Sequence, residues 1–256
     1  MEGYRRSSYG DGFADVYDEW YTGVDDVDAA VTVVVELARR SAGDARPPRV
    51  LELGVGTGRL ALPIAAHGID VTGVDTSAAM LDRLRGRDPD GRVALISGDM
   101  VDDQPDGPFD VALVAYNTLF NLESAARQAA CFGAAATRLA PDGVLVIEAF
   151  VPDDPPRQGS VVEVRSMTAA EVVLSVSTHD ASSQRADGHF VHLADGAPVR
   201  LRPWSIRYAP PAELDAMAAA AGLSLTERWE GFDRRPFGAD SPRHVSVYAR
   251  SAAARR

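Results

Sequence analysis

The sequence predicts an α/β protein, a parallel sheet covered on both faces by helices, with an antiparallel β insertion added to it. Three observations carry this. Between residues 49 and 150, short Val/Ile/Leu-rich runs alternate with Ala- and Arg-rich segments of helical character, the rhythm of strands buried on both faces and joined by helical crossovers. Between residues 160 and 208 the helical pattern stops, and only strand-like runs joined by short polar turns remain. After residue 210 one helical segment and two strand-like runs close the chain.

Taken in order, residues 26–41 read as one helix behind an aromatic, acidic leader. Residues 49–54 read as the first buried strand, and 57–68 as a helix closed by Gly68. A second strand spans 69–75, and a second helix spans 77–86 with Ser77 as its N-cap. Residues 92–99, 109–116 and 143–150 supply three more strands. A helix over 124–140 precedes the last of them, stopped by the turn signal Pro141-Asp142-Gly143. Pro152, Pro155 and Pro156 mark the start of the insertion, whose strand-like runs are 160–167, 171–180, 189–195 and 199–209. Residues 211–222 form a helix ended by Gly222, 223–232 and 241–250 a closing hairpin, and 251–256 a frayed tail. The predicted organisation is one domain over 1–256: lid and helices (1–48), core (49–150), capping insertion (151–209), and C-terminal helix and hairpin (210–250).

Composition narrows the function classes. Hydrophobic residues at 46% and charged residues at 25% are globular values. No apolar run reaches the roughly 18 residues of a membrane span, and the N-terminal stretch lacks the apolar region of a signal peptide. The one cysteine, Cys131, cannot form an internal disulfide, which suits a reducing cytoplasm. A net charge of −11 argues against gripping a nucleic-acid backbone. All 26 basic side chains are Arg, so lysine Schiff-base chemistry is excluded. No CxxC, HxxxH or paired His/Cys cluster is present, and no metal is expected.

The strongest signal is Glu52-Leu53-Gly54-Val55-Gly56-Thr57-Gly58 at the end of the first strand. Glycines there permit positive φ and let the backbone approach a ligand, and the following helix start adds unpaired N–H groups. A dinucleotide fingerprint requires its third glycine at position 59, which is Arg, so an NAD-dependent oxidoreductase is disfavoured. Asp75 lies 21 positions after Gly54, at the tip of the second strand, where a carboxylate can accept both hydroxyls of a ribose. Gly98-Asp99-Met100 ends the third strand, where an acid can accept from an adenine amine.

This set, with Phe109-Asp110 and Leu139-Ala140-Pro141-Asp142-Gly143, resembles the class I S-adenosylmethionine-dependent methyltransferases over residues 49–150. The resemblance implies a Rossmann-like, doubly wound seven-stranded sheet whose last strand is antiparallel. It implies S-adenosylmethionine as cofactor, with S-adenosylhomocysteine as product and no metal. Gly54 and Gly56 would then pass under the methionine part, with Arg59 near its carboxylate. Asp75 would hold the ribose hydroxyls, Asp99 and Met100 would frame the adenine, and Glu52, Thr57, Thr76 and Met80 are implied as further cofactor-binding residues. Tyr116 would lie beside the sulfur. Asp15-Val16-Tyr17-Asp18-Glu19-Trp20-Tyr21 is similar to the lid of bacterial small-molecule N-methyltransferases, the aminosugar N,N-dimethyltransferase and cypemycin types. Asn117-Thr118-Leu119-Phe120-Asn121 resembles the turn of that group. Tyr17 and Tyr21 are thereby implied at the cofactor, and Tyr17, Tyr116 and Asn117 at the reacting centre.

An activated sulfonium methyl needs an aligned nucleophile and exclusion of water more than a strong base. The expected acceptor is a small-molecule or short-peptide amine in specialised metabolism, which net acidity mildly favours. Its binding residues are expected among Trp20, Asn121, Glu148, Phe150, His189, Trp204 and Tyr208, with His179 as a catalytic candidate. His189 and His192 lie three apart on one strand and so face opposite sides. A hydroxyl acceptor with an insertion histidine as base, and a non-catalytic cofactor-binding partner subunit, stand as alternatives. No membrane and no nucleic-acid partner is expected, and the chain is expected to be a monomer or homodimer.

Overall fold

The structure is a computed structural model that describes residues 1–21, 23, 26–44 and 46–251. The tail over 252–256, expected to fray, lies outside these. In chain order the elements are α1 (Ser8–Phe13), α2 (Tyr17–Trp20), α3 (Val27–Ala42), β1 (Arg49–Leu53), α4 (Ala61–Ala66), β2 (Asp70–Asp75), α5 (Ala78–Arg87), β3 (Val93–Ser97) and β4 (Phe109–Val114). A 3₁₀ turn (Thr118–Asn121) precedes α6 (Ala125–Arg138) and β5 (Leu139–Phe150). The antiparallel strands β6 (Gly159–Met167), β7 (Glu171–Asp180), β8 (Arg185–Ala194) and β9 (Arg200–Arg207) follow, then α7 (Pro211–Ala220), β10 (Leu223–Trp229) and β11 (Arg243–Arg250).

Seven strands form one sheet in the order β10-β11-β5-β4-β1-β2-β3. β1 to β5 run parallel where they pair, and β11 is antiparallel to both β5 and β10. Strand alternation sorts the core into two halves. Val50, Val111 and Val146 join Val34, Ile64 and Leu84 of α3, α4 and α5 on one face. Leu51, Ala112 and Ile147 join Phe132 of α6 and Leu214 of α7 on the other. Leu51 and Ile64 are wholly buried. The helix starts are fixed locally: Asp26, Ser77 and Ser124 accept from the backbone N–H of Ala29, Met80 and Arg127.

Three boundaries differ from the sequence reading. Helix α4 begins at Ala61 because residues 57–60 remain in the glycine turn, with Gly58 at φ +80. Helix α6 stops at Arg138, since Leu139 already pairs with Phe109; a register shift absorbs the expected turn at Pro141–Gly143. Strand β8 starts at Arg185, because its charged first turn residues find ladder partners on both sides, Asp180 and Arg207.

The insertion is a second sheet, in the order β6-β7-β8-β9. Phe190 of β8 packs on Phe13 and Trp20 of the N-terminal helices, so its face looks toward the main domain. His189, the neighbouring residue, stands opposite Val176 and Pro203 on the other face. Strand alternation thus turns His189, expected at the acceptor, to the face away from Phe190, and His192 to the Phe190 face, against Trp20 and Glu171.

Candidate active site

A cleft with about 560 Å³ of unfilled space lies at the C-terminal ends of β1, β2 and β3. The glycine turn forms its floor. At Gly54 (φ +77) a Cβ would stand 2.3 Å from Thr118 Cγ2, so no other residue fits there. Gly56 donates its N–H to Asp75 Oδ2 at 2.9 Å, and Ser77 donates to Oδ1 at 2.8 Å. Each carboxylate oxygen keeps a further lone pair. Burial raises the Asp75 pKa above its ordinary value. Of the residues expected at the cofactor, Tyr17, Gly54, Gly56, Asp75, Thr76, Met80 and Met100 line this cleft, and Asn121, expected at the acceptor, lines it too.

Glu52 sits behind the floor, 4% exposed, and its Oε2 has no hydrogen-bond partner among the described residues. Burial pushes its pKa up to about 8, against the opposing pull of Arg59. The Arg59 guanidinium lies 5.3 Å from the centre of the Tyr116 ring. Thr57 donates its hydroxyl to Asp18 of the lid at 2.6 Å. Asp99, expected at the adenine, is 6% exposed and ion-paired. Its carboxylate is taken by Arg127, by Arg6 and by the N–H of Val101, so Gly98 and Met100, not the Asp99 side chain, face the cleft.

The N-terminal helices close over this cleft. Arg6, Tyr9 and Gly10 line it, and sequence reasoning missed all three. A signal existed: Tyr9, Phe13, Tyr17 and Tyr21 recur every four residues, one face of a helical segment. Tyr9 stacks on Phe13 at 4.4 Å, Tyr17 packs at a tilt on Tyr21 at 4.7 Å, and the hydroxyls of Tyr9 and Tyr21 are 3.0 Å apart. Tyr21 meets the Tyr116 ring edge-on at 5.4 Å. Trp20 instead faces the insertion, under the guanidinium groups of Arg165 and Arg202, and lines neither cavity described here.

At the end of β4 the chain takes two consecutive left-handed residues, Tyr116 (φ +48) and Asn117 (φ +63). Bulky residues adopt this conformation only when their surroundings impose it. Glu148 does so, accepting the Tyr116 N–H on its side chain and the Asn117 N–H on its carbonyl. Asn117 Oδ1 in turn accepts the N–H of Phe150. Phe150 walls a second cavity beneath the insertion, with about 630 Å³ of unfilled space, together with His179, Trp204 and Tyr208. Four residues expected from sequence thus meet in one place. Burial lowers the His179 pKa, with Arg157 adding to the effect, and His179 Nε2 is hydrogen-bonded to Ser177 Oγ at 2.9 Å.

Known proteins bear on this arrangement. A family model described as a methyltransferase domain matches residues 50–143. The cypemycin N-terminal methyltransferase of a Streptomyces species is 30% identical over 207 residues, 78% of this chain and 82% of that one. The chain belongs to the S-adenosylmethionine-dependent methyltransferases. The dTDP-3-amino-3,4,6-trideoxy-alpha-D-glucopyranose N,N-dimethyltransferase of Streptomyces venezuelae is 29% identical to this methyltransferase, over 83% of it and 90% of the relative. The solved structure of the CcbJ methyltransferase from Streptomyces caelestis superimposes with a TM-score of 0.88 at 39% identity, covering 97% of this chain and all (100%) of that one.

The residues of the methyltransferase fit its cofactor. S-adenosylmethionine carries an ammonium group, a ribose diol and an adenine. The buried, unpartnered Glu52 Oε2 suits an ammonium, the free lone pairs of Asp75 suit a diol, and the Gly54 floor admits close approach of the ligand. Among the described residues no group of His, Cys, Asp and Glu is arranged to hold a metal ion, and no helix is long and apolar enough to cross a membrane.

Proposed function

We propose that this methyltransferase transfers a methyl group to an amine of a small molecule or short peptide, in specialised metabolism. One observation carries the reading: the Tyr116–Asn117 turn is tied to a wall of each cavity, to the cofactor cleft through the lid rings and to the insertion cavity through Phe150. Tyr116 meets the lid ring of Tyr21, next to Tyr17 of the cofactor cleft, while Asn117 holds the Phe150 wall of the insertion cavity. This link supports a donor in the first cavity and an acceptor in the second, with the turn between their walls. The names of relatives that methylate a peptide terminus and an aminosugar support the same reading.

In the proposed mechanism S-adenosylmethionine supplies a methyl already activated on a sulfonium. Glu52, Gly54, Gly56 and Thr57 hold its methionine part with Arg59 nearby, Asp75 and Thr76 hold the ribose, and Met80 and Met100 frame the adenine. Tyr17, Tyr21 and Tyr116 exclude water from the reacting centre, where a neutral amine needs alignment more than a base. His179, held uncharged, accepts the proton that leaves the amine after transfer. Phe150, Trp204 and Tyr208 seat the rest of the acceptor, and Glu148 and Asn117 keep the turn in its strained shape. The enzyme acts in the cytoplasm as a monomer or homodimer.

The test is a methylation assay on alkylamines, aminosugars, peptide amines and matched alcohols. Amines should be turned over, with a rate that falls below the amine's own pKa as it protonates. Turnover of alcohols alone, or a flat pH profile with chemistry rate-limiting, overturns the amine assignment.

A further inference from the structure

The cavity beneath the insertion holds two polar atoms with nothing to bind. Trp204 Nε1 and Tyr208 Oη are both buried, both belong to side chains that line this cavity, and neither has a hydrogen-bond partner among the described residues. Tyr208 is 6% exposed. Buried donors without partners are costly and rare in native proteins, and an indole N–H can only donate. Two such atoms on side chains of one cavity wall mark a place where a ligand can supply the missing acceptor.

The surroundings select what that ligand carries. Phe150, Val151, Pro152 and Ile206 make the remaining wall largely apolar. The cation of the lining, Arg157, is already paired with Asp153 at 2.9 Å and Glu163 at 3.2 Å. Burial raises the Tyr208 pKa, with Asp180 and Asp153 adding to the effect, so the hydroxyl stays protonated. With the Arg157 guanidinium held by two carboxylates, no free cation among the described residues of the lining is left to bind a carboxylate or phosphate on the ligand.

We propose that this cavity is a subsite for an uncharged, oxygen-bearing part of the acceptor, a carbonyl or a sugar hydroxyl, bound by Trp204 Nε1–H and the Tyr208 hydroxyl. The proposal rests on the amine-methyltransferase reading above, because it names the part of the acceptor remote from the amine. It makes the cavity select for neutral groups, with the methyl-accepting nitrogen lying toward Phe150 and the Tyr116 turn.

The test reads the indole directly. The chain has three tryptophans, so ¹⁵N-indole NMR gives a small set of signals, and Trp204→Phe identifies the one concerned. The wild-type protein, held with S-adenosylhomocysteine, is titrated with N-methylacetamide, methyl glucoside and acetate. Movement of the Trp204 signal with either neutral probe and not with acetate supports the subsite, and the probe that moves it tells carbonyl from sugar. Acetate moving it as much as the neutral probes, or no probe moving it, overturns the proposal. Without ligand, Tyr208→Phe should leave the melting temperature unchanged or higher, since an unpaired buried hydroxyl is removed; a clear fall means that the hydroxyl has a structural partner and also overturns the proposal. With an accepted substrate, Tyr208→Phe should raise KM about three- to tenfold with kcat little changed. These outcomes are independent of the amine pH profile, so either reading can fail alone.

Discussion

Glu52 is the side chain with most at stake, because it is buried, its Oε2 has no hydrogen-bond partner among the described residues, and it is close to its own charge change at neutral pH. A carboxyl whose pKa is raised on folding stabilises the fold below its ordinary value and loses that contribution as pH rises through about 8. The cofactor-free protein should therefore lose melting temperature over this window relative to Glu52→Gln, which cannot ionise. A ligand ammonium favours the ionised form, so S-adenosylhomocysteine should bind more tightly as pH is raised toward about 8. Calorimetry at several pH values checks this; a wild-type affinity as flat with pH as that of Glu52→Gln refutes it. Asp75 gives a second test. Asp75→Ala removes a charged acceptor and should weaken cofactor binding by about 1–3 kcal/mol. It also orphans the N–H groups of Gly56 and Ser77, so stability should fall as well. Asp75 was legible in sequence from its spacing to Gly54. Asp99 was only half legible, since Arg127 and Arg6 lie 28 and 93 positions away and claim its carboxylate through folding alone.

The element that decides access is the N-terminal pair α1 and α2. It has little core of its own and is fastened from outside: Ser77 to Asp11, Thr57 to Asp18, and Arg202 to Asp15 and the Gly12 carbonyl. Gly10 lets the helix lie on the α5 cap, since a Cβ there would stand 2.4 Å from Ser77 Cβ. Segments held by a few polar ties open more readily than the sheet they cover. Arg202→Met should thus raise hydrogen exchange over residues 8–20 and leave β1, β4 and β5 protected. Equal loss of protection in the core strands would mean that Arg202 supports the whole domain. Tyr17→Phe should lower turnover more than stability, because Tyr17 lines the cleft; unchanged activity with a lowered melting temperature would make it packing only. The aromatic lid was visible in sequence as residues 17, 20 and 21, yet the roles separated only on folding. Tyr17 lines the cleft, Trp20 turns to the insertion, and Tyr21 packs on Tyr17 while lying under Arg165 of the insertion.

Over the whole molecule the net charge of −11 sets a field that distinguishes cofactor from product. S-adenosylmethionine carries one positive charge more than S-adenosylhomocysteine, so its binding should weaken more steeply as salt is added. Parallel titrations at rising ionic strength check this, and equal slopes contradict it. The sequence by itself determined the α/β core, the glycine turn with Asp75, and the change from helical to strand rhythm at the insertion. These rest on local periodicity and on backbone needs that only certain residues meet, as Gly54 does. Only packing decided which insertion side chains reach the cavity beneath it. His179 of β7, Trp204 of β9 and Tyr208 just past β9 line it, and His189 of β8 does not. The physical reason is that alternation tells which residues share a face, but only packing of Phe190 against Phe13 and Trp20 tells which face looks inward.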